Sequence, residues 1–132
     1  RDGRKYDASI NGSGIHAVDA ATGKVLWRHK MTDSCKGREY CDPGVSSAPA
    51  AIPGAVIAGH LDGWLRAYSK ADGRILWSYD TARSLGSVTG VQGPGGSMSG
   101  PGGAAYQGRL VLNSGYGMYY HMPGNVLLVF GR

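Results

Sequence analysis

The sequence predicts an all-β fold of repeated four-stranded antiparallel blades, the layout of a propeller, and three observations predict it. First, residues 15–27 (IHAVDAATGKVLW) align without gaps on residues 65–77 (LRAYSKADGRILW), with Ala17/Ala67, Ala21/Ala71, Gly23/Gly73, Leu26/Leu76 and Trp27/Trp77 identical. A third copy begins at GNVLLVF, with Leu127 in the place of Ile15 and Phe130 in that of Val18. A repeat at this spacing is the mark of stacked supersecondary units. Second, apolar residues inside a unit alternate with the two-residue period of a strand. Third, the 23 glycines, several in Pro-Gly and Asp-Gly pairs, fall between the alternating runs and supply the turns.

Taken in order, residues 12–34 read as the end of a blade, 35–45 as a loop, 46–80 as a full blade, 81–99 as a second loop and 100–132 as a last partial blade. That makes one partial propeller domain of about two and a half blades. In the full unit, Ala48–Ile52 ends at the Pro53-Gly54 turn and Ala55–His60 at Leu61-Asp62-Gly63. Trp64–Ser69 ends at Ala71-Asp72-Gly73, and Arg74–Tyr79 closes the unit. Asp-Gly favours a type I′ hairpin, because both residues tolerate positive φ and that turn matches the strand twist. The last unit runs from Gly100 through Tyr106 to Leu112 and on to Val126–Phe130, with its second turn enlarged to SGYGMYYHMPGN. Enlargement of one loop of a repeat marks a functional face.

Composition removes several function classes. With 17% charged and 42% hydrophobic residues the chain is not a disordered tail, and no apolar run reaches the roughly 18 to 20 residues of a spanning helix. No leader opens the chain, so any signal peptide is expected to have been removed. The net charge of +5 comes from 14 Lys and Arg scattered singly, which suits solubility and argues against a nucleic-acid partner. Cys35 and Cys41 share one polar segment and form neither a zinc nor a haem motif. A bridge between them points to a periplasmic or secreted protein; two separate reduced thiols are the alternative. His16, His29 and His60 match no metal spacing. GSGIHA at 12–17 mimics a dinucleotide fingerprint but leads into a strand where a helix is required. Asn11-Gly12-Ser13 fits a glycosylation sequon.

Residues 17–27, AVDAATGKVLW, resemble the tryptophan-docking motif A-x-D-x-x-T-G-x-x-x-W of pyrroloquinoline quinone (PQQ) dehydrogenase propellers. Asp19 and Thr22 can fold the turn through side-chain bonds, Gly23 can take the left-handed conformation, and Trp27 offers a flat surface to the next blade. Gly73 and Trp77 repeat these roles in the second copy, which departs at Ser69 and Asp72 with turn-compatible substitutes. SSAPAAIPGAVIAGHLDGWLRAYSKADGRILW, GGSMSGPGGA, NSGYG and MPGNVLLVF resemble the carboxy-terminal region of polyvinyl alcohol dehydrogenase-type quinoproteins, over roughly Ile15 to Phe130. The resemblance implies a periplasmic propeller that oxidises alcohols with PQQ and Ca²⁺ and passes electrons to cytochrome c. The rival readings are a propeller without cofactor that serves as a protein-binding scaffold, and an inactive fragment.

In a four-stranded blade, the loop entering the first strand and the turn between the second and third share one face of the disc. In the resembling family that face holds the cofactor. It gathers Ser46, Ser47, the His60–Gly63 turn, Gly93–Gly100 and Ser114–Asn125. Gly95 and Gly96 allow close backbone approach and, with the Ser97 hydroxyl, can bond the carboxylates of an anionic quinone; a tight blade-to-blade connection explains the same glycines. Asn113 can bond a quinone oxygen or cap its own turn. Tyr116 joins Tyr119, Tyr120, His121 and Met122 in an aromatic loop that lines an entrance or packs as a lid. Alcohol oxidation needs a base for the hydroxyl proton, and Asp62 is the acidic residue in these loops, although its hairpin explains it without chemistry. The base and the calcium ligands are expected in other blades.

Overall fold

The computed structural model describes residues 13–116 and 119–131, all strand, turn or loop. Asn11 and Gly12 of the sequon, and Gly117 and Met118 of the enlarged loop, lie outside the described residues.

Strands β1 (Gly14–Val18) and β2 (Val25–Lys30) form an antiparallel hairpin. After the two-residue β3 (Ser46–Ser47), a four-stranded antiparallel sheet runs in sequence order through β4 (Ala50–Ile52), β5 (Ala55–Gly59), β6 (Trp64–Ser69) and β7 (Ile75–Asp80). A short hairpin of β8 (Ser84–Gly86) and β9 (Gln92–Pro94) follows. Then β10 (Ser99–Gly100) pairs in parallel with β3, and β11 (Ala104–Tyr106), β12 (Arg109–Ser114) and β13 (Val126–Phe130) make a three-stranded antiparallel sheet.

The repeat is visible in the hydrogen bonding. Ala17 pairs with Trp27 and Ala67 with Trp77, and in both copies the register shifts at the next residue. The turns close identically: the Gly23 N–H donates to the Asp19 carbonyl (2.8 Å) and the Gly73 N–H to the Ser69 carbonyl (2.9 Å). Asp19 Oδ1 accepts from the Ala21 and Thr22 N–H groups and from Thr22 Oγ1. In the second copy Ser69 Oγ accepts from the Ala71 N–H and Asp72 Oδ1 from the Arg74 N–H, so both departures keep the turn by other donors and acceptors. Trp27 Nε1 donates to the Lys70 carbonyl (2.8 Å), and its ring lies so close over Gly73 that a Cβ there would overlap it. A glycine is required twice at this position, by that approach and by its φ of 73°.

Five of the six residues of β6 are buried, because this strand is covered on both faces. Tyr68 packs with Ile15, Ala58 and Trp27 on one side; Leu65 packs with Met98, Leu110 and Leu112 on the other. Trp77 stacks beside Tyr79 and meets the Phe130 ring edge-on at 5.4 Å, yet remains 41% exposed. The third-copy residue answering to Lys70 is Arg132, outside the described residues.

Five sequence expectations need correction. The first strand of the full blade starts at Ala50, since Pro49 brings no N–H to a ladder; Ser46 and Ser47 pair instead with the next blade's entry. His60 stands outside β5, in an isolated bridge with Val45, and the last strand is Ile75–Asp80 rather than Arg74–Tyr79. The loop at 81–99 contains the β8–β9 hairpin. Neither Asp-Gly pair makes a type I′ turn: only Gly63 (82°) and Gly73 (73°) have positive φ. Both connections are longer than two residues and finish on a left-handed glycine, the geometry of wider hairpin loops.

Candidate functional site

The loops assigned to one face do converge there, with Ser97 at the join. Its hydroxyl donates to the Leu61 carbonyl, its N–H donates to the Met122 carbonyl (2.9 Å), and its Oγ accepts from the Met122 N–H (3.0 Å). The Ser97 carbonyl accepts from the Gly115 N–H, and the Met98 N–H donates to the His60 carbonyl. Beside it, Ser114 Oγ lies 2.7 Å from Thr81 Oγ1, which donates to the Gly63 carbonyl, and accepts from the Gly96 N–H at 3.0 Å. These bonds tie the 60–63, 93–100 and 114–125 loops into one piece.

The glycines that admit close approach are approached by the chain itself. A Cβ at Gly95 would overlap the Thr81 carbonyl, and one at Gly96 the carbonyls of Met122 and Pro123. The Gly95 N–H donates to the Arg83 carbonyl (3.0 Å). Together with the Gly96 and Ser97 bonds above, this leaves no inward N–H at residues 95–97 for a carboxylate, so the three do not form an anion cradle fitted to PQQ. Asn113 is part-buried in β12 opposite Leu127. Tyr116 is exposed, and its hydroxyl donates to the Asn125 carbonyl (3.2 Å).

Behind this face, between β1–β2 and the four-stranded sheet, lies a buried polar network. Asp62 is 1% exposed; its oxygens accept from Arg66 Nη1 (3.2 Å) and Nη2 (2.9 Å), from the Trp64 N–H (2.9 Å) and from the Ser34 hydroxyl. Its carboxylate therefore serves an internal ion pair. Arg66 also lies over the Trp64 ring at 5.5 Å. His60 Nε2 and the Tyr68 hydroxyl are 2.9 Å apart, both residues fully buried, and the His29 ring meets Tyr68 at 5.0 Å. His60 Nδ1 has no partner among the described residues. The sequence offered no link between His29 and His60; Tyr68 supplies it. Nor did it mark Ser34, Thr81 or Arg66, although an arginine at an inward position of an otherwise apolar strand signals a buried partner.

Burial, and then the Arg66 guanidinium, pull the His60 pKa down from 6.5 to about 4, and burial pushes Tyr68 up to about 12. Burial and Arg66 also lower His29. The unfolded chain therefore takes up a proton at His60 near pH 6.5 while the folded one does not until about 4. Its contribution is complete above the higher value and is lost as pH falls toward the lower one, by about 3 kcal/mol. Urea titrations across that range should show this loss, and His60→Gln should remove it; a wild-type midpoint that is flat with pH would contradict the assignment.

Cys35 and Cys41 are joined in a disulfide. The loop it closes lies against the enlarged loop: Arg38 Nη1 is 3.8 Å from Met122 Sδ, and His121 Nδ1 is 3.3 Å from Asp42 Oδ2. Among the described residues no group of three His, Cys, Asp or Glu side chains is placed to hold a metal ion, and no helix is long and apolar enough to cross a membrane.

Residues 4–121 match the family described as outer membrane protein assembly factor BamB. The chain is 35% identical over 128 residues to the polyvinylalcohol dehydrogenase of a Pseudomonas species, covering 89% of this chain and 20% of that protein. It is 36% identical over 107 residues to the polyvinylalcohol dehydrogenase of a Sphingopyxis species, covering 78% of this chain and 16% of the relative. With the outer membrane protein assembly factor BamB of Xanthomonas campestris pv. campestris it shares 34% over 76 residues, which cover 58% of this chain and 18% of that one. The chain thus spans a fifth or less of the length of these curated relatives.

Proposed function

The chain belongs to the PQQ-repeat β-propeller family whose description is outer membrane protein assembly factor BamB, and from that premise we propose that it supplies carboxy-terminal blades of a PQQ-dependent alcohol dehydrogenase of the polyvinyl alcohol dehydrogenase type. One observation carries the reading: similarity to a polyvinylalcohol dehydrogenase runs through 89% of the chain, against 58% for the assembly factor. In this reading the whole protein is a periplasmic oxidoreductase that takes electrons from an alcohol and passes them to cytochrome c. The disulfide agrees with an oxidising compartment. PQQ would accept the substrate's electrons, with Ca²⁺ beside it; their ligands and the catalytic base lie on residues outside this chain. Gly95, Gly96 and Ser97 act indirectly, fixing the loops that wall the face, while Asn113 and Tyr116 are the sequence-assigned residues left to meet a ligand.

The second reading, a protein-binding scaffold without cofactor, is favoured by the assembly-factor relative and by the internal engagement of Gly95–Ser97. Denaturing the full-length protein from its native source and assaying the extract for PQQ by absorbance and mass separates the two. The dehydrogenase reading expects stoichiometric PQQ; none, with reconstitution by PQQ and Ca²⁺ also failing, moves the assignment to the scaffold.

A further inference from the structure

We propose that the Cys35–Cys41 disulfide is a redox-sensitive latch: closed, it holds residues 36–40 against the base of the enlarged loop, and its reduction by a dithiol releases both. The inference stands whichever reading of the face is correct, since it concerns how the face is held. Inside the ring that the bond closes, Lys36 (φ 50°), Gly37 (80°) and Tyr40 (59°) are left-handed. That region is costly for residues other than glycine, so Lys36 and Tyr40 are held in it against their own preference. Residues 36–40 are all exposed. Among the described residues the ring has one internal backbone hydrogen bond, from the Arg38 N–H to the Cys35 carbonyl at 2.9 Å. With so little packing, closure of the bond is what keeps the ring in shape.

The contacts around the ring divide into those that need the bond and those that do not. Outside it, the Ser34 hydroxyl donates to Asp62, Ser13 Oγ donates to the Pro43 carbonyl (3.2 Å) and the Leu61 N–H to the Gly44 carbonyl (2.9 Å). These hold the chain on either side of the ring whether or not the sulfurs are joined. Inside it, Arg38 Nη1 reaches Met122 Sδ at 3.8 Å. Met122 is the buried base of the enlarged loop, its N–H donating to Ser97 Oγ and its carbonyl accepting from the Ser97 N–H. Just before it, Tyr119 and Tyr120 are also left-handed (63° and 62°) and largely exposed. Opening the ring therefore frees Arg38 and, through it, loosens Met122, while the flanking contacts stay. The chain entropy a disulfide removes grows with the logarithm of loop length, and this ring is short, so local holding is its larger effect.

Cys35 is buried and Cys41 partly exposed, which directs attack to Cys41 Sγ. A thiolate of the dithiol bonds there, the Cys35–Cys41 bond breaks, and Cys35 leaves as a thiolate. The second thiolate of the dithiol then displaces Cys41. Two electrons pass to the protein, the two leaving thiolates take up the two protons that the dithiol gives up, and the dithiol ends as a disulfide. A partly exposed bridge that closes a strained backbone is of the labile kind that such an exchange opens.

The test uses the full-length protein, oxidised, reduced by dithiothreitol, and as the Cys35→Ser/Cys41→Ser variant. Thiol labelling reads the state of the bridge and amide hydrogen exchange reads the loops. Reduction of the folded protein should speed exchange at Arg38 and Met122 by about tenfold while β5 and β6 stay within about twofold, and reoxidation should restore the slow rates. The double variant should match the reduced protein. Arg38→Leu, which leaves the bridge intact, should speed exchange at Met122 alone. Three results overturn the proposal. Cysteines that stay bridged in the folded protein under dithiothreitol would show that the bond is no switch. Exchange at Met122 within about twofold of the oxidised rate after complete reduction would show that the ring does not hold the loop. A uniform rise through β5 and β6, or a double variant that does not fold, would make the bond a staple of the whole fold.

Discussion

Trp27→Ala is expected to destabilise the full-length protein by about 3–5 kcal/mol, the cost of emptying a large aromatic site. Three losses combine. The ring leaves the cluster of Ile15, Ala58 and Tyr68 against which it packs. The Lys70 carbonyl loses the indole N–H that reaches it from the neighbouring blade. The surface of Gly73, shaped to receive the ring, faces a cavity that its own turn cannot close. Trp27→Phe separates these contributions: it keeps an aromatic face and removes the N–H, so it should cost about 1 kcal/mol from the hydrogen bond together with part of the packing loss. Urea midpoints at constant m-value read both. A Trp27→Ala loss below about 0.5 kcal/mol, the range of a surface substitution, would mean that the indole does not join the two blades.

That interface was legible because it is written twice. The paired copies at 15–27 and 65–77 give the strand period, the turn and the docking residue together, and the structure places Trp27 on the turn of the second copy. What the sequence could not convey is what fills each close approach. Gly95-Gly96 announces that something comes near, and the Thr81 and Met122 carbonyls turn out to do so. Turn type was misread at Asp62-Gly63 and Asp72-Gly73 because loop length depends on where the flanking ladder stops. The His60–Tyr68 and Asp62–Arg66 pairs were hidden for a different reason. Each joins residues across a single hairpin, but the groups that meet them come from far earlier in the chain: Ile15, Trp27 and His29 at Tyr68, and Ser34 at Asp62. An Asp-Gly dipeptide is a sufficient local explanation for Asp62, so nothing local prompts a search for its cation.

Asp62 is therefore the residue at which a chemical role and a structural one predict different outcomes. Removing one partner of a buried ion pair leaves the other charge without compensation, and Asp62→Ala should cost about 3–5 kcal/mol. Arg66, 9% exposed, would be left beside His60 and His29, whose protonation it already opposes. Replacing both partners removes the stranded charge, so Asp62→Ala/Arg66→Met should recover most of the stability, because an apolar side chain of similar length fills the space without desolvated charge. Turnover then decides the role. Loss of a general base lowers kcat by about 10²–10⁴ whatever happens to stability. With its oxygens bound to Arg66, Ser34 and the Trp64 N–H, Asp62 has no position from which to take a substrate proton. The refolded double variant should accordingly keep kcat within about tenfold of wild type; a stable double variant slower than about 10² would reinstate Asp62 as the base.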